Sequence, residues 1–203
     1  MRIRRITTAL VVVAVSATAS VGAVASGKPS ASGARMHTAH AQSTLMSDIA
    51  AARLATAKYA TNLAGAKAAG YQIITQMIPN MGYHFLNPHV QGFDVRKPPI
   101  LVYERRGGAW QLGALEWVFT SKPATPPLPG ARYGTFPAAC HYLDGTFVPE
   151  SAQSMCPTNS PQTGAAFNFW HPDLITLHFW IWYPNPAGLY SSMNPLVNPF
   201  NGS

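Results

Sequence analysis

Positions on one helical face recur three and four residues apart between residues 43 and 70. They are Leu45, Ile49, Ala52, Thr56, Tyr59, Leu63 and Ala66. Because this spacing suits an α-helix and Gly70 is a typical C-terminal cap, the pattern predicts one amphipathic helix. An interruption near Asn62 or Gly65 is the alternative. Since the face is mostly alanine, we expect it to pack on a sheet rather than on a membrane.

Several later runs are predicted to be β-strands because they combine β-branched and aromatic residues with bounding Gly, Pro or Asn. They are residues 71–78, the segment M-G-Y-H-F-L-N-P at 81–88, a hairpin with arms 100–104 and 109–119, and residues 174–183. A Gly-Gly pair joins the hairpin arms, as tight turns favour. The prediction is an α+β fold, with an N-terminal amphipathic helix packed on an antiparallel sheet, open or barrel-like, and an Asn/Pro-rich C-terminal tail.

Alternation along two of these strands places ionisable side chains among apolar ones. The second hairpin arm puts Leu112, Ala114, Glu116 and Val118 on one face. The last strand puts Leu174, Thr176, His178, Trp180 and Trp182 on one face. A buried carboxylate such as Glu116 must be protonated, paired or bound to metal. An imidazole such as His178 also needs a partner, since an unsatisfied buried polar group costs roughly 1–3 kcal/mol.

The chain between residues 121 and 162 is rich in proline and poor in regular patterns. Its two cysteines, Cys140 and Cys156, are expected to form a disulfide, because exported proteins oxidise such pairs. Closing this short loop contributes roughly 3 kcal/mol through the entropy of the unfolded chain. Two thiolate metal ligands are the less favoured alternative. The region is either a lid or rim over a site or a surface excursion without function.

The start of the chain predicts export. A basic start, an apolar run and Ala23-Val24-Ala25 are typical of a signal peptide over residues 1–25. Residues 26–42 lack periodicity and are predicted to be a disordered tether. Residues 43–203 are then a single globular domain. The mature protein is expected to be secreted, without stable membrane insertion.

Charge excludes one class of partner. The formal charge of +7 includes Arg2, Arg4 and Arg5 of the signal peptide, so the mature chain carries +4. Lys28 and Arg35 of the predicted tether lower the charge of the domain to +2. No basic face with interleaved aromatic residues is visible, so nucleic acid is not expected as a partner.

Three strand residues, His84, Glu116 and His178, are each expected to point inward. Two imidazoles and a carboxylate are a common ligand set for zinc, copper, iron or manganese. His171 and His141 are further candidates for a fourth ligand. Each residue taken singly has a structural alternative, such as pairing of Glu116 with Arg105, Arg106 or Arg132.

The favoured function is an exported protein that binds a divalent transition metal in a pocket walled by Trp180 and Trp182. The alternative is a non-catalytic surface module that binds a small molecule or carbohydrate without metal, because exposed tryptophans can stack on sugars. No G-x-S-x-G, P-loop or dinucleotide motif names a reaction.

Several motifs carry a resemblance. M-G-Y-H-F-L-N-P, L-G-A-L-E-W and L-H-F-W-I-W-Y-P-N-P-A-G-L resemble a group of uncharacterised exported bacterial proteins. The order of a histidine strand, an L-x-Y hairpin, a glutamate and H-F-W is distantly similar to the plant oil-body-associated protein family. Both resemblances imply that His84, Glu116 and His178 belong together. Neither implies an established activity.

Overall fold

The computed structural model describes residues 31–197, with side chains from residue 35, and has the predicted α+β fold. The signal peptide predicted at 1–25 lies outside the described residues. The helices are α1 (Ala31–Thr56) and α2 (Leu63–Ala68), separated by a 3-10 turn (Ala57–Tyr59). The strands are β1 (Gln72–Ile78), β2 (Gly82–Leu86), β3 (Ile100–Arg106), β4 (Ala109–Phe119), β5 (Gly134–Phe136), β6 (Ala139–Tyr142), β7 (Phe147–Pro149), β8 (Phe167–His171) and β9 (Leu174–Phe179).

The first helix starts earlier than its apolar pattern predicts. It begins at Ala31 and so includes most of the predicted tether, although residues 35–44 are exposed. Alanine, arginine, methionine and glutamine favour helix even where no face is buried, which explains the extension. The helical region is interrupted near Asn62, which was one of the two expected patterns. There the Asn62 side chain accepts a hydrogen bond from the Gly65 N–H and caps α2.

Six strands form a curled antiparallel sheet in the order β1-β2-β3-β4-β9-β5. A second, three-stranded antiparallel sheet has the order β7-β6-β8. The sequence pattern predicts the strands of the large sheet from β1 to β4 and β9. It does not predict the small sheet, whose strands are short and lie in the proline-rich region or just beyond it.

A β-bulge at Gly113 divides β4 into two parts with opposite phase. Tyr103 pairs with Leu112 and Val102 pairs with Ala114, so Gly113 is the extra residue. Leu112 therefore packs in the same core as Leu115, on the helix side of the sheet. The prediction that Leu112 shares a face with Glu116 is wrong, because strict alternation assumes a strand without a bulge.

The two faces of the large sheet bury different side chains. The helix face packs large residues against α1 and α2, among them Phe85, Leu101, Leu115, Trp117 and Leu177. The opposite face carries a smaller apolar cluster of Ile100, Val102, Ala114, Trp180 and Val197. The described helices thus cover one face, and the small sheet helps to cover the other.

The proline-rich region is held by the predicted Cys140–Cys156 disulfide, which is confirmed. Strand β6 within this region is buried along its length, and its His141 faces a cavity described below. This placement favours the rim over a surface excursion without function. Among the described residues, no helix is long and apolar enough to cross a bilayer.

Candidate metal centre

His84, Glu116 and His178 lie on three strands and meet on the face away from the helices. Glu116 on β4 is directly opposite His178 on β9. His84 on β2 is opposite Val102, one pleat along from Ile100, which is opposite Glu116. The three side chains are buried, and one possible ligand atom from each lies within 4.8 Å of the others. The predicted set is therefore brought together.

The spacing of these atoms suits ligands of a shared ion better than direct hydrogen bonds. His84 Nε2 lies 3.5 Å from Glu116 Oε2, and His178 Nε2 lies 3.7 Å from Glu116 Oε1. Direct N–H···O hydrogen bonds span about 2.7–3.2 Å. Two ligands of a tetrahedral ion, each about 2.0–2.1 Å from the metal, lie about 3.3–3.4 Å apart. Small side-chain rotations would therefore bring all three ligand atoms within bonding distance of one ion.

The His84 ring is oriented by Thr75 on the neighbouring strand β1. Thr75 Oγ1 lies 2.7 Å from His84 Nδ1 and also accepts the His84 backbone N–H at 3.1 Å. This contact leaves Nε2 directed at Glu116, the arrangement in which a second polar group fixes a metal-binding histidine.

Gly82 starts the strand with a φ of 113°, and a Cβ there would collide with the Tyr103 carbonyl oxygen. Glycine is thus required where β2 begins.

His178 is buried without polar satisfaction. Within the described part of the chain, neither of its ring nitrogens has a hydrogen-bond partner. Its ring stacks beside the Trp180 indole, with centroids 6.3 Å apart. Glu116 contacts imidazoles rather than the arginine partner considered above. Arg106 instead forms an ion pair with Glu104 at 3.1 Å.

Burial sets the protonation states of the group in the absence of metal. Burial, helped by the proximity of His178 and His141, lowers the pKa of His84 to about 3. Burial lowers the pKa of His178 to about 4. Burial raises the pKa of Glu116 to about 8. Near neutral pH both imidazoles are therefore neutral and keep a lone pair for a metal, while the carboxyl holds a proton that an ion would displace.

The group borders a cavity of about 210 Å³. Apart from the histidines and Glu116, its lining is mostly apolar and includes Ile74, Phe136 and Phe169. Strands β6 and β8 of the small sheet form the wall opposite the group. An ion held by the three side chains would therefore keep open positions that face a confined apolar space.

His171 and His141 line the same cavity but are not part of the three-residue group. Their Nε2 atoms lie 3.0 Å from each other. The expectation that one of them is a fourth ligand stays a prediction, and the two histidines lie next to each other as a pair. The pairing joins β6 to β8, and no pattern in the sequence indicates it.

The predicted tryptophan wall is wrong, because neither Trp180 nor Trp182 lines the cavity. Trp180 is buried beside His178, and its indole N–H donates to the Ser191 carbonyl oxygen. β9 ends at Phe179, so alternation no longer applies to Trp182. Trp182 packs on the helix side, donates to Thr56 and lies under the Arg53 guanidinium. Phe136 and Phe169 are the aromatic residues of the cavity wall.

Comparisons of the chain with protein-family models, curated proteins and solved structures give no match. The resemblance to exported bacterial proteins and to the oil-body-associated family stays a prediction.

Proposed function

We propose that this chain is an exported metal-binding protein whose His84, Glu116 and His178 hold one divalent transition-metal ion. The observation that carries the proposal is the buried Glu116 carboxyl between two imidazoles. One of these imidazoles, His178, has no other polar partner among residues 31–197. The Glu116 carboxyl and the His178 imidazole make no direct hydrogen bond to each other, and each is costly to bury without a partner. An ion among them satisfies all three at once.

The donor set narrows the class of metal. Two neutral imidazole nitrogens and one carboxylate oxygen suit zinc, copper, iron or manganese, and they suit calcium or magnesium less well, since those ions prefer oxygen. Three protein ligands with open positions are typical of sites that also bind water or a substrate. The site is therefore built for a metal that takes a further ligand.

That further ligand is proposed to be a small, largely apolar molecule. The cavity of about 210 Å³ is larger than the ~150 Å³ apolar cavities that hold benzene in engineered proteins. Its aromatic and aliphatic lining would contact the body of such a molecule, while the ion would bind one polar atom. The alternative of a carbohydrate platform is less favoured, because Trp180 is buried and Arg53 covers Trp182.

Export is supported by two features. The Cys140–Cys156 disulfide is typical of proteins that mature in an oxidising compartment. The basic and apolar start of the chain is typical of a cleaved signal peptide. The metal would then be acquired outside the cytoplasm or during export.

The test is metal analysis of untagged mature protein and a Glu116→Gln variant, with Glu104→Gln as the matched control. Both glutamates are buried in the same hairpin, but Glu104 pairs with Arg106 rather than with histidines. We expect the affinity of this site for zinc to fall on the order of 100-fold or more in Glu116→Gln, since even outer groups contribute 10–100-fold. Glu104→Gln should keep the metal.

Competition with a coloured zinc chelator measures the affinity, and elemental analysis measures the ion content. Metal-free wild-type protein that fails to bind zinc, copper, iron and manganese would refute the proposal. Equal loss in both variants would indicate that damage to the hairpin, rather than loss of a ligand, lowers the binding.

A further inference from the structure

His141 on β6 and His171 on β8 form a pair of imidazoles that the proposed centre does not use. Their Nε2 atoms are 3.0 Å apart. His141 Nδ1 lies 2.7 Å from the Ile74 carbonyl oxygen, and His171 Nδ1 lies 2.7 Å from the Pro172 carbonyl oxygen. Each ring is thus fixed at one nitrogen by the backbone, and the other nitrogens face each other.

The tautomers of the pair follow from these contacts. A carbonyl oxygen can only accept a hydrogen bond, so Nδ1 of each ring must carry the hydrogen. In two neutral rings, both Nε2 atoms then carry lone pairs. Lone pairs facing each other at 3.0 Å repel, and the arrangement needs a cation between them. That cation is either a proton, which makes one ring an imidazolium, or a metal ion.

We infer that His141 and His171 bind a second transition-metal ion, of the zinc or copper class, in the same cavity. Donation of Nδ1–H to a backbone carbonyl is the usual outer contact of a metal-binding histidine, and both rings have it. Imidazole nitrogens favour zinc and copper. Water or the molecule in the cavity supplies the remaining ligands. No residue of the proposed centre is shared, so this site goes beyond the proposed function.

The pair needs only a small adjustment to hold an ion. Two nitrogens that bind one tetrahedral zinc lie about 3.3–3.4 Å apart, compared with 3.0 Å here. His141 is fixed, since it is buried and stacked on Phe169 with ring centroids 4.7 Å apart. His171 is only partly buried and belongs to a strand at the edge of the small sheet. It is therefore the ring that moves.

The two sites are connected through β1. His141 contacts the carbonyl of Ile74, and His84 contacts the side chain of the next residue, Thr75. His141 also contributes to the lowered pKa of His84, so the two sites lie within electrostatic reach of each other. Ions at both sites would face the same apolar space. A molecule in the cavity could then contact both ions.

The experiment measures metal stoichiometry in untagged mature protein with its disulfide intact. Chelator-treated wild type, His171→Gln, Glu116→Gln and the double variant are dialysed against zinc and analysed for zinc per chain. Exposed His89 provides the matched control, His89→Gln. We expect two ions in wild type and His89→Gln, one in each single variant and none in the double variant. Circular dichroism checks that each variant is folded.

The possible outcomes separate the two sites. Two ions retained in His171→Gln would overturn the second site and leave a shared proton as the cation between the rings. Loss of both ions in His171→Gln would overturn its independence. Unchanged zinc in Glu116→Gln would refute the proposed function alone. If His171→Gln does not fold, anomalous scattering from zinc-loaded wild-type crystals decides, because a second ion must lie about 2.0–2.1 Å from Nε2 of both histidines.

Discussion

The two faces of the large sheet are made by the same strands but bury different kinds of polar group. Hydroxyl and indole groups lie on the helix face, while a carboxyl and imidazoles lie on the cavity face. On the helix face, the Tyr71 and Tyr103 hydroxyls donate to the backbone carbonyls of Pro98 and Tyr59 at 2.8 and 2.7 Å. On the cavity face, Glu116 and His178 are buried without direct hydrogen bonds to each other. The difference indicates that one face stabilises the fold while the other is arranged for a ligand.

The substitution with the largest expected effect changes the helix face alone. Leu115 is fully buried there and is the chain neighbour of Glu116, which points the other way. We expect Leu115→Ala to lower the free energy of unfolding by about 2–5 kcal/mol, because it leaves a cavity in the core. Chemical denaturation measures the change. Leu54→Ala is the matched control, since Leu54 is 83% exposed, and it should change stability by less than about 0.5 kcal/mol.

Metal content per folded molecule tests whether damage to the helix face leaves the metal ligands on the cavity face intact. Leu115→Ala should keep its metal in the folded fraction, because the ligands project from the opposite face. A variant that lost its metal while keeping full stability would contradict the division of labour between the faces.

The second substitution changes the cavity face. It is expected to weaken metal binding without lowering the stability of the metal-free protein. We expect His178→Leu to weaken metal binding at the three-residue centre on the order of 100-fold or more. In chelator-treated protein, the same change should leave the stability unchanged or raise it by about 1–2 kcal/mol, because it removes an unsatisfied buried imidazole. Thermal denaturation of wild type and of His178→Leu, each with and without zinc, measures the two effects. Lower stability of metal-free His178→Leu would indicate that the imidazole has a structural partner.

The smallest expected effect is a pH dependence of stability that arises from the ionisable groups on the cavity face. The pKa of Glu116 is raised to about 8, so between about pH 6.5 and 8 the folded protein holds a proton that the unfolded chain has released. The stability of metal-free protein should therefore fall with rising pH in this window, by less than the about 1.4 kcal/mol per unit that one full proton gives. The slope is smaller because Glu116 is half ionised at about pH 8 and the unfolded chain still holds protons on His84 and His178 near pH 6.5. Below pH 6.5 the stability should fall as pH falls, because the unfolded chain protonates His84 and His178 while the folded protein does not.

Denaturation of chelator-treated wild type and Glu116→Gln between pH 6.5 and 8 isolates the carboxyl. The slope should be smaller in the variant, and an identical slope would refute the assignment. Zinc should reverse the trend in wild type, because ion binding displaces the proton more easily as the pH approaches 8.

The sequence predicts the parts of the fold that depend on local pattern. The Gly-Gly hairpin appears as β3 and β4, and alternation correctly puts Glu116 and His178 on one face. Those two residues lie beyond the bulge and before the end of β9, where the period of two is uninterrupted. Periodicity therefore predicts the direction of each side chain within its own strand, and the pairing of β4 with β9 brings the two side chains together.

The rest depends on contacts between distant parts of the chain. Leu112 precedes the bulge in β4, and Trp182 follows the end of β9. Neither side chain therefore points to the face that strict alternation predicts. The His141–His171 pair depends on pairing of β6 with β8, two short strands separated by an irregular segment. Neither strand has enough residues to show a period, and only tertiary packing brings the two rings together.

The bulge at Gly113 predicts which sequence pattern related chains should conserve. Because the extra residue keeps Leu112 and Leu115 on the helix face, descendants that preserve the site should show two apolar residues three positions apart and then glutamate, as in L-G-A-L-E. Loss of one residue here would move the preceding half of the arm to the other face. Insertions and deletions should therefore be far rarer inside this arm than in the neighbouring loops.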